Sequence, residues 1–155
     1  MAIKETFDLA IQLEEKMSGC YKEISRLCQE ESLAKEFIRL SNDEIAHRNL
    51  LLMGKNYLEV APDIFHLSRE RIGEMENGLN KITKLIERTH DKNISLEEAL
   101  NDAAELERLF EQFHLKTIVE VEDISLKKLF EALSADDKIH RERLINIIKG
   151  FYSSS

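Results

Sequence analysis

Residues 103–144 repeat residues 10–51 without a gap, 93 positions further on, with 13 of 42 residues identical. A chain built this way must fold the same helical unit twice and bury the same faces of each copy. Helical sequences reuse Leu, Glu and Lys, so the register of rarer residues carries more weight than the score. Ala10, Leu13 and Glu14 align with Ala103, Leu106 and Glu107. Phe37, Leu40, Asp43, His47 and Arg48 align with Phe130, Leu133, Asp136, His140 and Arg141. Each copy therefore offers a lone carboxylate, a gap of thirty residues, and a carboxylate-x-x-His pair: Glu14 with Glu44 and His47, then Glu107 with Asp137 and His140.

Apolar residues recur at helical spacing through almost the whole chain. Phe7, Ala10, Ile11, Met17, Tyr21, Ile24 and Leu27 define a first helix. The stretch 28–32 reads as a tight reversal with Ser32 as N-cap. Leu33, Phe37, Leu40, Ile45, Leu51 and Leu52 define a second helix, which ends before Pro62 because a proline disfavours helix in the residue ahead of it. A third helix is expected from about Ser68 to His90. Ser95 with Glu98 has capping-box spacing and opens a fourth, with Leu100, Ala103, Ala104, Phe110 and Phe113 inward. Ser125 is expected to cap the last helix, with Leu126, Leu129, Phe130, Leu133, Ile139, Leu144, Ile145 and Ile148 facing the core.

The organisation expected is a single domain over 1–155: a helical hairpin at 1–60, a crossover helix at 66–92 and a second hairpin at 95–150. The middle helix has no counterpart in the first copy, and its length has a use. Two hairpins related by a twofold axis need a connection as long as the bundle, and some 23 residues of helix span roughly 35 Å.

The 155 residues carry 43% hydrophobic and 34% charged side chains, one proline and five glycines, which suits long amphipathic helices rather than hairpin-rich sheets. A net charge of −8 with no basic stripe argues against a nucleic-acid partner. Cys20 and Cys28 lie eight apart on one helix, roughly 12 Å, too far for a disulfide, and form no C-x-x-C metal unit. Glu5 and Asp8 interrupt the N-terminus before any signal-peptide run, and no segment has the length of a membrane span. A reduced, cytoplasmic protein with no membrane partner is the expectation.

Residues three apart on a helix share a face, so Glu44 and His47 can meet one ion, as can Asp137 and His140. Glu14 stands at the height of Glu44 if the hairpin turns near residue 29, and Glu107 matches it in the second copy. Four carboxylates and two imidazoles around two divalent ions nearly cancel in charge, whereas the same carboxylates buried alone would be costly. Oxygen and imidazole donors together suit iron, with manganese as the alternative.

At these residues the chain resembles ferritin-like proteins of the rubrerythrin branch. AIQLEEKMSGCY, with Tyr21 seven residues after Glu14, is similar to the first helix of that family, and NDEIAHRNLL is similar to the second. The resemblance implies a ferritin-like four-helix bundle of two pseudo-symmetric hairpins plus the crossover helix. It implies Glu14 and Glu107 as terminal ligands, Glu44 and Asp137 as bridging ligands, and His47 and His140 as nitrogen ligands. Tyr21 would donate a hydrogen bond beside the site. The chain departs from the pattern in three places. Asp137 replaces the usual Glu and is one methylene shorter. His114 stands where Tyr21 has its copy, as a group beside the site, an extra ligand or a core histidine. Phe110 takes the position of the additional Glu of peroxidase-active rubrerythrins, which counts against that specialised chemistry. No rubredoxin-like segment accompanies the bundle, and the short stretch after Gly150 speaks against the fifth helix of cage-forming ferritins.

The function implied is a non-haem di-metal, di-iron carboxylate oxidoreductase that reacts with dioxygen or peroxide, with electrons from an external donor. The alternatives are iron binding, ferroxidase action or storage, and a metal-free helical adaptor. The oligomeric state is open at this point, a homodimer being one option because such bundles commonly pair through a helical face. Asp43 and Asp136, each just before a ligand, are read as solvated acids rather than partners of the site.

Overall fold

The structure, a computed structural model, describes residues 2–60 and 69–153. Five helices make it up: α1 (Ala2–Leu27), α2 (Glu31–Val60), α3 (Arg69–His90), α4 (Leu96–Glu120) and α5 (Ile124–Ser153). No strand occurs among the described residues, so the chain is an all-α bundle. No described helix is long and apolar enough to cross a membrane. Pro62, Ser68 and the start of the crossover segment placed at 66–92 lie outside the described residues.

Paired side chains give the helix directions. Ser18 bonds Ser41 at 2.8 Å and Lys55 donates to Asp8 at 2.6 Å, so α2 runs back along α1. His47 meets Asp136 at 3.0 Å and Tyr57 donates to Asp123 at 2.9 Å, so α5 is antiparallel to α2. Arg141 pairs with Glu111 at 2.6 Å and His114 meets Asp137 at 2.6 Å, which makes α4 antiparallel to α5. It follows that α2 and α4 point the same way, and the chain must travel the length of the bundle between them. Helix α3 makes that journey parallel to α1: Lys16 donates to Thr83 at 2.7 Å, and His90 reaches Glu23 at 3.5 Å.

Helical spacing explains which faces go inside. Phe7, Ala10, Glu14, Met17, Tyr21 and Ile24 of α1 are buried at three- and four-residue intervals. On α3 the buried set is a narrower stripe of Met75, Gly78, Ile82, Leu85 and Thr89. That pattern suits a helix laid on the outside of α1 and α4. Gly54 is a place where close approach matters: a Cβ there would lie 2.7 Å from Cε1 of Phe7, a fully buried ring packed on Phe130. Alanine favours helix over glycine by about 1 kcal/mol, yet overpacking a filled core costs about 1–3 kcal/mol. Gly54→Ala is therefore expected to lower stability by about 1 kcal/mol net, seen as a lower urea midpoint at unchanged slope. An unmoved or higher midpoint would show that the Phe7 ring yields freely.

Three expectations are corrected. Ser32 does not cap α2; it lies exposed inside the first turn, and the first carbonyl of the helix belongs to Glu30, which accepts from Ala34 at 3.0 Å. Ser125 does not cap α5. Asp123 does, its Oδ1 accepting from the Leu126 amide at 3.0 Å, because a carboxylate two positions earlier offers a better acceptor to the free N–H groups. Ser95 does cap α4, accepting from the Glu98 amide at 3.1 Å, while the Glu98 carboxylate turns to Arg88. Finally, Ile139 and Ile145, read as core, are 49% and 37% exposed. Each sits one residue, about 100°, from a buried neighbour: His140 and Leu144.

Candidate metal centre

All six residues singled out by the repeat, together with Tyr21 and His114, are buried. The competing acids are not: Glu15 and Glu105 are exposed, Glu105 being paired with Arg108 at 2.5 Å. Helical phase decides this, since Glu14 shares the inward face of Ala10, Met17 and Tyr21, and Glu107 shares that of Ala103, Phe110 and His114.

Glu44 lies at the middle. Its Oε2 is 3.2 Å from Nδ1 of His47, and its Oε1 is 2.9 Å from Nδ1 of His140. Glu14 Oε2 approaches the first imidazole at 3.5 Å, and Glu107 Oε1 approaches the second at 3.3 Å. Two groups of ligand atoms result, each lying within 4.8 Å of one another: Glu14, Glu44 and His47, and Glu44, Glu107 and His140. The two imidazoles stack with centroids 5.5 Å apart and planes 22° from parallel. Five of the six residues are thus brought together, with Glu44 common to both groups. Asp137 belongs to neither. It is buried, but its Oδ2 is held at 2.6 Å by Nδ1 of His114, a buried histidine bonded to a site residue rather than left in an apolar core. Tyr21 donates its hydroxyl to Glu107 Oε1 across the bundle.

The far nitrogens of both histidines overturn one sequence reading. His47 Nε2 is 3.0 Å from Asp136, and His140 Nε2 is 3.1 Å from Asp43. These acids are about half exposed, at 52% and 49%, but they are partners of the site rather than plain solvated groups. The signal was present in the sequence: Asp43 and Asp136 are identical and in register in both copies. Each carboxylate takes the N–H of a histidine on the other hairpin. That fixes the ring and turns Nδ1 inward, where it would be free to bind once its proton is lost, the arrangement by which outer carboxylates orient metal-binding imidazoles. A surface cavity of about 300 Å³ opens over this outer side, lined by both Asp–His pairs, Leu50 and Ile139.

Charge in the interior is poorly balanced by protein groups alone. Burial, reinforced by the charge of Glu44, pushes Glu14 up to about 8. Burial also raises Glu107, and it raises Asp137 well above the ordinary aspartate range with help from Glu14 and Glu44. Burial alone would lower His47, but its bonds to Glu14 and Glu44 outweigh this and push it up to about 12. His140 rises to about 11 in the same way, against burial, through Glu107 and Glu44. His114, where burial dominates, falls to about 4. Two buried carboxylate oxygens, Glu107 Oε2 and Asp137 Oδ1, have no hydrogen-bond partner, and Glu14 Oε2 has only the 3.5 Å approach of His47 Nδ1. A buried acceptor without a good donor is costly, and the carboxylates of Glu14, Glu44 and Glu107 beside two imidazole nitrogens fit the donor set of a bound cation pair. Compared with family models, curated proteins and solved structures, the chain matches none.

Proposed function

We propose that the chain is a di-metal carboxylate protein of ferritin-like type that holds two iron ions, with manganese as the alternative, and acts on dioxygen or peroxide. One observation carries this reading. Two inward-facing Nδ1 atoms and the carboxylates of Glu14 and Glu107 converge on Glu44 in a buried site, where only protons or cations can offset their charge. Glu14, Glu44 and His47 would hold one ion, and Glu107, Glu44 and His140 the other. Mixed oxygen and imidazole donors suit iron and manganese over softer metals. When bound, such a pair supplies one-electron redox chemistry that no side chain here provides. The protein's own part is to exclude water with Met17, Phe110 and Phe113, to fix both imidazoles through Asp136 and Asp43, and to hold a proton at the Tyr21 hydroxyl beside Glu107. Electrons would come from an external donor.

Protein purified without added metal is expected to carry about two iron or manganese ions per chain by elemental analysis. With a supplied reductant it should consume peroxide. Slow oxidation of added iron without peroxide turnover would move the reading to ferroxidase or storage action. No bound metal even after reconstitution would leave a helical adaptor.

A further inference from the structure

We propose that His114 is a positioning residue that withholds Asp137 from the metal pair, so that Glu44 alone bridges the two positions. This rests on the reading of the cluster as a metal centre. Under the 93-residue repeat His114 takes the place of Tyr21, and Asp137 that of Glu44, yet the two halves use these places differently. Tyr21 reaches across the bundle to Glu107 on the other hairpin. His114 stays within its own hairpin and binds Asp137 through Nδ1 at 2.6 Å. The Phe113 and Phe130 rings flank the imidazole with centroids 5.5 Å and 5.9 Å away, which limits its rotation.

The outcome is visible in the carboxylates. Glu44 spans both ligand histidines, at 2.9 Å and 3.2 Å. Asp137, a methylene shorter, has one oxygen committed to His114 and the other unbonded, and it joins neither group of ligand atoms. A symmetric protein would close the pair from both sides. Here the second closure is held back, and the two positions also differ because Tyr21 bonds Glu107 across the bundle while His114 bonds Asp137 of its own hairpin. On this proposal the ion beside Glu107 and His140 is the weaker held, because the carboxylate of its own hairpin is withheld.

The test is a Co²⁺ titration of the metal-free full chain, followed by calorimetry and visible absorption. Wild-type protein is expected to bind two ions in separate steps, the second weaker. His114→Phe should free Asp137 and tighten the second step about tenfold, within the usual range for changes in the groups that support ligands. The Co²⁺ spectrum of the second equivalent should shift as a donor is added. Asp137→Asn alone should leave both steps nearly where they were, and the double variant should lack the gain. His114→Leu should reproduce the gain, which guards against an effect of ring packing. Loss of the second step in Asp137→Asn would make Asp137 a direct ligand and overturn the proposal, as would His114 variants that fold and bind without tightening. Wild-type protein that takes up no Co²⁺ sinks the metal reading and this proposal with it, whereas two steps that no variant moves overturn the role of His114 alone.

Discussion

Replacing His47 by alanine is expected to reduce bound metal from about two ions per chain to one or fewer, with the helical far-UV signal largely kept. The variant removes the Nδ1 that meets Glu44 at 3.2 Å and Glu14 at 3.5 Å, and it leaves Asp136 without its imidazole. In the metal-free protein the effect reaches further. Two buried carboxylates lose a cationic neighbour, and breaking a buried pair from one side typically costs about 3–5 kcal/mol. Elemental analysis reads the first effect and a urea titration the second. Full metal occupancy in the variant would remove His47 from the ligand set. A loss of metal with unchanged metal-free stability would mean that the carboxylates are already protonated there.

The second large effect is a dependence of stability on pH and metal together. Glu14, raised to about 8, and His47 and His140, raised to about 12 and 11, keep protons in the folded metal-free chain that the unfolded chain has released by neutral pH. Glu107 and Asp137 are shifted the same way. A folded state that binds more protons loses stability as pH rises. His114, lowered to about 4 from 6.5, acts in the opposite sense, but only between those two values. Above pH 6.5 every one of these contributions therefore points the same way, and the metal-free melting temperature should fall steadily from there. Metal takes the deprotonated ligands, so its affinity rises over the same range and its binding releases protons. Two sites at a hundredfold excess over Kd add about 5 kcal/mol, or about 10–20 °C for a chain of this size. Scanning calorimetry at several pH values, with and without Mn²⁺, checks both slopes. A metal increment that shrinks as pH rises would contradict the assignment of protons to these ligands.

The helices were legible in the sequence because a 3.6-residue period is a strong signal over 20–30 residues, and the repeat added a second, independent constraint on the hairpins. The choice of Glu14 over Glu15 and of Glu107 over Glu105 followed from helical phase together with the register of the repeat. Helix starts were less readable. Ser32 and Ser125 look like caps, but the backbone turned elsewhere, and Asp123 competes for the same amides. Faces blurred where apolar residues crowd, as at Ile139 beside His140. Least legible were contacts between hairpins. Nothing in local sequence says that Asp136 and Asp43 serve histidines 89 and 97 residues away, or that His114 takes hold of Asp137. Those depend on how the two copies dock.

The crossed Asp–His pairs have a consequence for the order of events in the cell. Asp43 steadies an imidazole on α5, and Asp136 steadies one on α2, so neither copy is self-sufficient. A nascent chain with only its first half synthesised carries Glu14, Glu44 and His47 but lacks Asp136, the outer support of its own histidine. On the metal reading proposed above, the second group, Glu107 and His140 with Glu44, would form only once both copies have docked, so a reactive pair of ions would be kept out of an unfinished, solvent-open polypeptide.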